Sequence, residues 1–164
     1  MHSQCRRLTL CVLLALLGVL SAGIITVSAQ ATDPRIGTWK LNAGKSKYDP
    51  GPPPQSLTVK VEPAGQGEKV TAEFVNMDGT RATTVYTANF DGKDYPLTGS
   101  QNANTVSLKR IDARTTERID KKDGKVVLNY TRVVSQDGKT MTVTTKGTNA
   151  QGQTVSIVAV WEKQ

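Results

Sequence analysis

The chain has 164 residues, with 21 lysines and arginines against 14 acidic residues, two cysteines and one histidine, a size that suits a single domain. Cys5, Cys11 and His2 all lie within the first 11 residues, so the rest of the chain lacks the side chains for a Cys/His zinc site, a disulfide, a thiolate nucleophile or a Ser-His-Asp triad. The formal charge of +7 is scattered, and after Arg6-Arg7 the adjacent basic pairs are Lys109-Arg110 and Lys121-Lys122, too few to track phosphates, so nucleic acid is not an expected partner.

Residues 1–29 carry the three-part pattern of a secretory signal: Arg6 and Arg7, the apolar stretch Leu8–Leu20, and small residues at Ser28, Ala29 and Ala31. Cleavage after Ala29 and cleavage after Ala31 both fit. The first is adopted here, which makes residues 30–164 the mature domain and places it outside the cytoplasm, secreted or periplasmic. The competing reading is an uncleaved anchor, since Leu8–Val27 has about the length that crosses a bilayer. After cleavage no stable membrane insertion is expected. Cys11 is a poor lipidation site, because Leu10 stands where a small residue is needed and the apolar run continues past it.

Beyond the signal, Thr and Val dominate and glycine recurs at short intervals, which is strand chemistry. Asp78-Gly79, Asp91-Gly92, Asp123-Gly124 and Asp137-Gly138 are hairpin-turn dipeptides, each set between alternating segments. Ten strands are predicted: 36–41, 56–63, 69–76, 80–90, 93–97, 104–111, 115–121, 125–135, 140–148 and 154–163. Their short connections require antiparallel neighbours, since parallel strands need crossovers of a dozen or more residues. Pro96 marks the fifth strand as an edge, bulge or gap, and the seventh is polar on both faces. Residues 42–55, with Gly44, Gly51, Pro50 and the run Pro52-Pro53-Pro54, read as neither helix nor inner strand. They are expected to be a rigid connector across one end or a lid beside an opening.

Alternation assigns faces. Leu57, Val59 and Val61 oppose Thr58, Lys60 and Glu62, and Ala82, Tyr86, Ala88 and Phe90 oppose Arg81, Thr83, Val85 and Asn89. In the eighth strand Val126, Leu128, Tyr130, Arg132 and Val134 share one face. Ten twisted strands close readily, because closure removes exposed edges. The expected fold is all-β, an antiparallel up-and-down barrel. Glu73, Asp94, Glu117 and Asp120 are read as solvated carboxylates. Gly44-Lys45-Ser46 fails as a phosphate-binding loop, since Trp39 stands where its first glycine belongs.

Ile36-Gly37-Thr38-Trp39-Lys40-Leu41 resembles the opening Gly-x-Trp strand of the calycin superfamily, and Val160-Trp161-Glu162-Lys163 resembles the closing strand of its fatty-acid-binding branch. The whole is similar to small secreted bacterial lipocalin-like proteins. The resemblance implies a structural barrel-end group in which Trp39, after Gly37, plugs the closed end beside Lys163. It also exposes two departures. The Arg-x-Tyr pair that holds a ligand carboxylate in fatty-acid-binding proteins is matched by Ala159 and Trp161, and the paired portal helices are replaced by the proline-rich segment. Arg132 with Tyr130 is a substitute anchor, unless Arg132 sits near a strand end and reaches solvent.

Two functions compete. In the first, a noncatalytic, monomeric binding protein holds a small apolar or anionic ligand in the barrel, with Phe74, Tyr86, Phe90, Tyr130, Arg132 and Trp161 as contacts. The small residues Ala72, Ala82, Thr84, Ala88 and Ala159 would leave it room. In the second, a filled barrel serves as an envelope or secreted interaction module through its loops. No metal, cofactor or catalytic residue is expected in either. A void of roughly 300 Å³ or more separates the two readings.

Overall fold

The structure is a computed structural model and is described for residues 33–164; the signal segment, both cleavage positions and the anchor reading lie outside the described residues. Ten strands run in chain order: β1 (Gly37–Asp49), β2 (Ser56–Ala64), β3 (Gly67–Val75), β4 (Arg81–Asn89), β5 (Tyr95–Thr98), β6 (Thr105–Arg110), β7 (Thr115–Lys122), β8 (Lys125–Val134), β9 (Thr140–Thr148) and β10 (Thr154–Lys163). Each pairs antiparallel with its neighbours in sequence, and β1 pairs with both β2 and β10, so the sheet is a closed barrel. Closure pairs every strand on both sides, leaving no open edge to template association.

Turn chemistry sets the register. Asp123 and Gly124 both adopt positive φ, 50° and 79°, the two-residue hairpin geometry whose twist matches the strands it joins. The hairpin between β7 and β8 therefore closes tightly, with Lys122 facing Lys125. β5 is the thinnest part of the wall, with two register pairs to β4 and two to β6. Pro96, which cannot donate to the ladder, lies in this short strand.

Two features depart from simple alternation. Residues 42–49 were expected to be connector, yet they continue β1 through a bulge. Asn42 faces Val160 and Lys47 faces Val158, so residues 43–46 stand opposite Ala159 alone. Ser46 secures the excursion: its hydroxyl donates to the Asn42 carbonyl at 2.7 Å and accepts from the Val160 N–H at 2.9 Å. Glycine and lysines disguised this stretch as a loop, while the strand bulges through it and resumes its pairing at Lys47. Residues 50–55 alone form the connector.

The second departure is in β8, where the register slips as Asp120 faces Leu128 and Lys121 faces Val126. The bulge turns Val126 out to 54% exposure and packs Val127 against the core, reversing the expected faces of these two residues. Opposite it lies Gly147, with φ of 149°, where an added Cβ would fall 1.9 Å from the Val127 carbonyl oxygen. Glycine is required there by both backbone conformation and space.

The closed end is filled. Trp39 is fully buried, its indole N–H donating to the Arg35 carbonyl at 2.8 Å, and Lys163 Nζ lies 5.2 Å from its ring centroid. The same ammonium donates to the Pro34 carbonyl at 3.0 Å. Arg35, itself 1% exposed, pairs with Asp33, which Arg110 also binds at 2.8 Å. Burial opposes the Asp33 charge, but the hydrogen bonds from Arg35 and Arg110 outweigh it and hold the carboxyl below its ordinary range. Both guanidinium groups lie over the Phe90 ring, at 4.8 and 4.5 Å.

Candidate functional site

Above this plug the barrel encloses a cavity of about 320 Å³. Its wall is largely apolar: Leu57, Val59 and Val61 from β2, Val70, Ala72 and Phe74 from β3, Met141 and Val143 from β9, and Ile157, Ala159 and Trp161 from β10. The alternating inward positions of these strands supply it directly. Tyr48, brought inward by the β1 bulge, joins them. At the mouth, Tyr48, Leu57 and Phe74 also border an open groove of about 450 Å³ formed with Pro52, Pro53, Pro54 and residues 76–78. The proline segment thus sits beside the opening.

One side of the interior is polar, and strand register builds it. Arg118 and Asp120 are two apart on β7 and so share its inward face. The guanidinium grips the carboxylate with two hydrogen bonds, Nε to Oδ1 at 2.6 Å and Nη2 to Oδ2 at 2.7 Å. Arg118 also lies 4.7 Å from the centroids of Tyr86 and Tyr130, its cross-strand partner. Burial opposes its charge, but Asp120 and the two tyrosines outweigh that and hold the guanidinium firmly protonated.

Deeper, Thr116 faces Arg132 across β7 and β8. Arg132 Nε donates to the Thr116 hydroxyl at 2.9 Å, and Nη1 meets Glu68 Oε1 at 2.6 Å. The Tyr86 hydroxyl donates to the same Glu68 oxygen at 2.8 Å. Arg132 and Glu68 are 7% and 1% exposed. Glu68 Oε2, Arg132 Nη2 and Trp161 Nε1 are buried with no hydrogen-bond partner among the described residues.

Of the residues expected to contact a ligand, Phe74, Tyr86, Tyr130, Arg132 and Trp161 line the cavity. Phe90 does not; it belongs to the closed-end plug, held by Arg35 and Arg110, because the inward face of β4 has passed below the cavity floor by that point. Ala72, Thr84 and Ala159 line the space, Ala88 is buried elsewhere in the core, and Ala82 is exposed near the start of β4. Arg132 does not reach solvent, since its side chain ends in the Glu68 and Thr116 contacts. Asp120 is not solvated either: it is 2% exposed and bound to Arg118.

Glu68, Arg118 and Tyr48 were missed. Glu68 stands one alternation step before Val70, Ala72 and Phe74, a signal lost by starting that strand at residue 69. Arg118 was hidden because an inward face made of Thr116, Arg118 and Asp120 reads as solvent-facing until the barrel shows otherwise.

Burial pushes the Tyr48 hydroxyl up to about 12. It also raises Tyr86, with the Glu68 carboxylate adding to the effect, and Tyr130, where Arg118 opposes it. A folded-state value above the unfolded 10.0 means stability is fully present below pH 10 and is lost as pH rises through about 12. The 295 nm absorbance of tyrosinate from these three residues should therefore appear above their ordinary range, not near pH 10. Their ionisation near pH 10 with an unchanged circular dichroism spectrum would show that the interior does not shield them.

No family model and no curated protein matches this sequence. Among solved structures, the zebrafish ileal bile acid-binding protein complexed with cholic acid is similar, with a TM-score of 0.50 and 15% identity over 80% of this chain and 99% of that one. At that identity the likeness is one of fold. Together with the closed ten-strand antiparallel barrel, it gives this chain a calycin-like fold of the fatty-acid-binding type.

Proposed function

We propose that this protein is a noncatalytic, monomeric carrier that holds one small, partly apolar molecule inside its barrel. The observation that carries the reading is the cavity of about 320 Å³, mostly apolar and with one polar wall, the composition that small-molecule sites share. It weighs against a filled barrel acting through its loops. The absence of His and Cys beyond residue 11 and the engagement of the interior carboxylates Glu68 and Asp120 by arginines favour binding over catalysis. The solved neighbour that shares the fold was complexed with cholic acid, which is consistent with a ligand in this position. The pattern of residues 1–29 supports export, with the carrier working as a secreted or periplasmic protein.

The test is a fluorescence titration with N-phenyl-1-naphthylamine, an uncharged apolar probe. Saturable enhancement is expected with the wild type. Ala159→Leu should abolish it, because Ala159 is buried at 4% exposure on the cavity wall and the larger side chain occupies the space with little strain. No enhancement, or enhancement unchanged by the filled cavity, would sink the carrier reading.

A further inference from the structure

The polar wall specifies the charge of the ligand. The charged side chains at the cavity are Arg118, Asp120 and Arg132 on its wall and Glu68 behind it, and each of these cations is matched to an anion by a direct contact. Arg118 offers its Nε and Nη2 to Asp120 and is further held by the Tyr86 and Tyr130 rings. Arg132, also on the wall, is turned toward Glu68 and Thr116, neither of which lines the cavity, and its charge is met by Glu68 although Nη2 has no hydrogen-bond partner among the described residues.

A carboxylate entering this space would bring an uncompensated charge into a desolvated site whose own wall charges are already paired, with Asp120 on the wall to repel it. An alkylammonium faces the same difficulty from the arginines. What the wall does offer is neutral hydrogen-bonding capacity. The hydroxyl groups of Tyr48, Thr84 and Thr145 belong to lining residues, and each can donate and accept. Tyr48 stands at the junction of cavity and mouth groove.

We infer that the barrel selects an uncharged amphiphile, an apolar body bearing a hydroxyl or carbonyl oxygen, over a carboxylate or amine of the same size, because both cavity arginines are already neutralised by Asp120 and Glu68. This rests on the carrier reading above and narrows it. It departs from the expectation of an anionic ligand, which assumed that Arg132 would have a free charge to offer.

The experiment is displacement of N-phenyl-1-naphthylamine from the full chain by three ligands of one length: 1-decanol, decanoate and decylamine, at pH 7.5. Decanol is expected to displace the probe about tenfold more tightly than either ion. In Asp120→Asn the Arg118 charge is released while shape is kept, so decanoate should gain about tenfold and decanol should change little. Decanoate or decylamine matching decanol in the wild type would overturn the inference and leave the carrier reading standing. So would an Asp120→Asn variant that folds but shows no gain for decanoate. If that variant does not fold, the wild-type ratio alone decides. A wild type that never binds the probe is the distinct failure of the carrier reading, and this inference falls with it.

Discussion

Glu68→Gln is expected to destabilise the protein by about 3–5 kcal/mol, the usual cost of breaking a buried ion pair from one side. The substitution keeps the shape of the side chain and removes only its charge. Arg132, 7% exposed, would then lie in the core with its Nη1 opposite a neutral amide instead of a carboxylate 2.6 Å away. Against a total stability of about 5–15 kcal/mol for a domain, that loss would be visible as a large fall in the urea midpoint. The double variant Glu68→Leu with Arg132→Met should recover most of it, because replacing both charges by packed apolar groups removes the desolvation cost along with the attraction. A single variant costing less than about 1 kcal/mol would show that Arg132 finds other compensation, with water the first candidate.

Trp39→Ala should cost a similar amount, about 3–5 kcal/mol, for a different reason. The indole is fully buried at the closed end and donates to the Arg35 carbonyl at 2.8 Å. Truncation leaves a void that the closed barrel is poorly placed to collapse, since β1 is hydrogen-bonded on both sides at this position. It also strips the support from Arg35 and its pair with Asp33. Lys163→Met, which removes the exposed ammonium over the ring at 5.2 Å and its hydrogen bond to the Pro34 carbonyl, should cost no more than about 1 kcal/mol. Equal losses in the two variants, measured by denaturant melts, would mean that the cation and not the buried ring organises the barrel end.

Both predictions turn on groups that differ in how readable they are. Trp39 announces itself through Gly37-Thr38-Trp39 and its place at the head of the first strand. Glu68 follows a glycine-rich turn and is flanked by Lys69, so local chemistry assigns it to solvent. Only the step-two relation to Val70 and Ala72 points inward, and that relation is weak evidence until the strand's start is known.

The bulges mark a second boundary. Alternation is a local rule, and it carries ten strands and most of their faces correctly as long as each strand pairs regularly. At residues 43–46 and at Val127 the pairing partner decides instead. Ser46 bonding to Val160 keeps β1 in the sheet past a stretch that looks like loop, and the bulge beside Gly147 turns Val126 and Val127 over. Neither partner is near in sequence, so neither effect is visible along the chain.

The amino-acid sequence by itself determined the strand number, the antiparallel meander and the lack of thiol or imidazole chemistry beyond residue 11, because hairpin turns, two-residue alternation and composition are properties of short segments. Tertiary structure decided that the interior is hollow, that Phe90 serves the plug and that both cavity arginines are already paired. Those outcomes depend on where closure of the barrel places side chains from β3, β4, β7 and β8, and on which charges then face each other away from water.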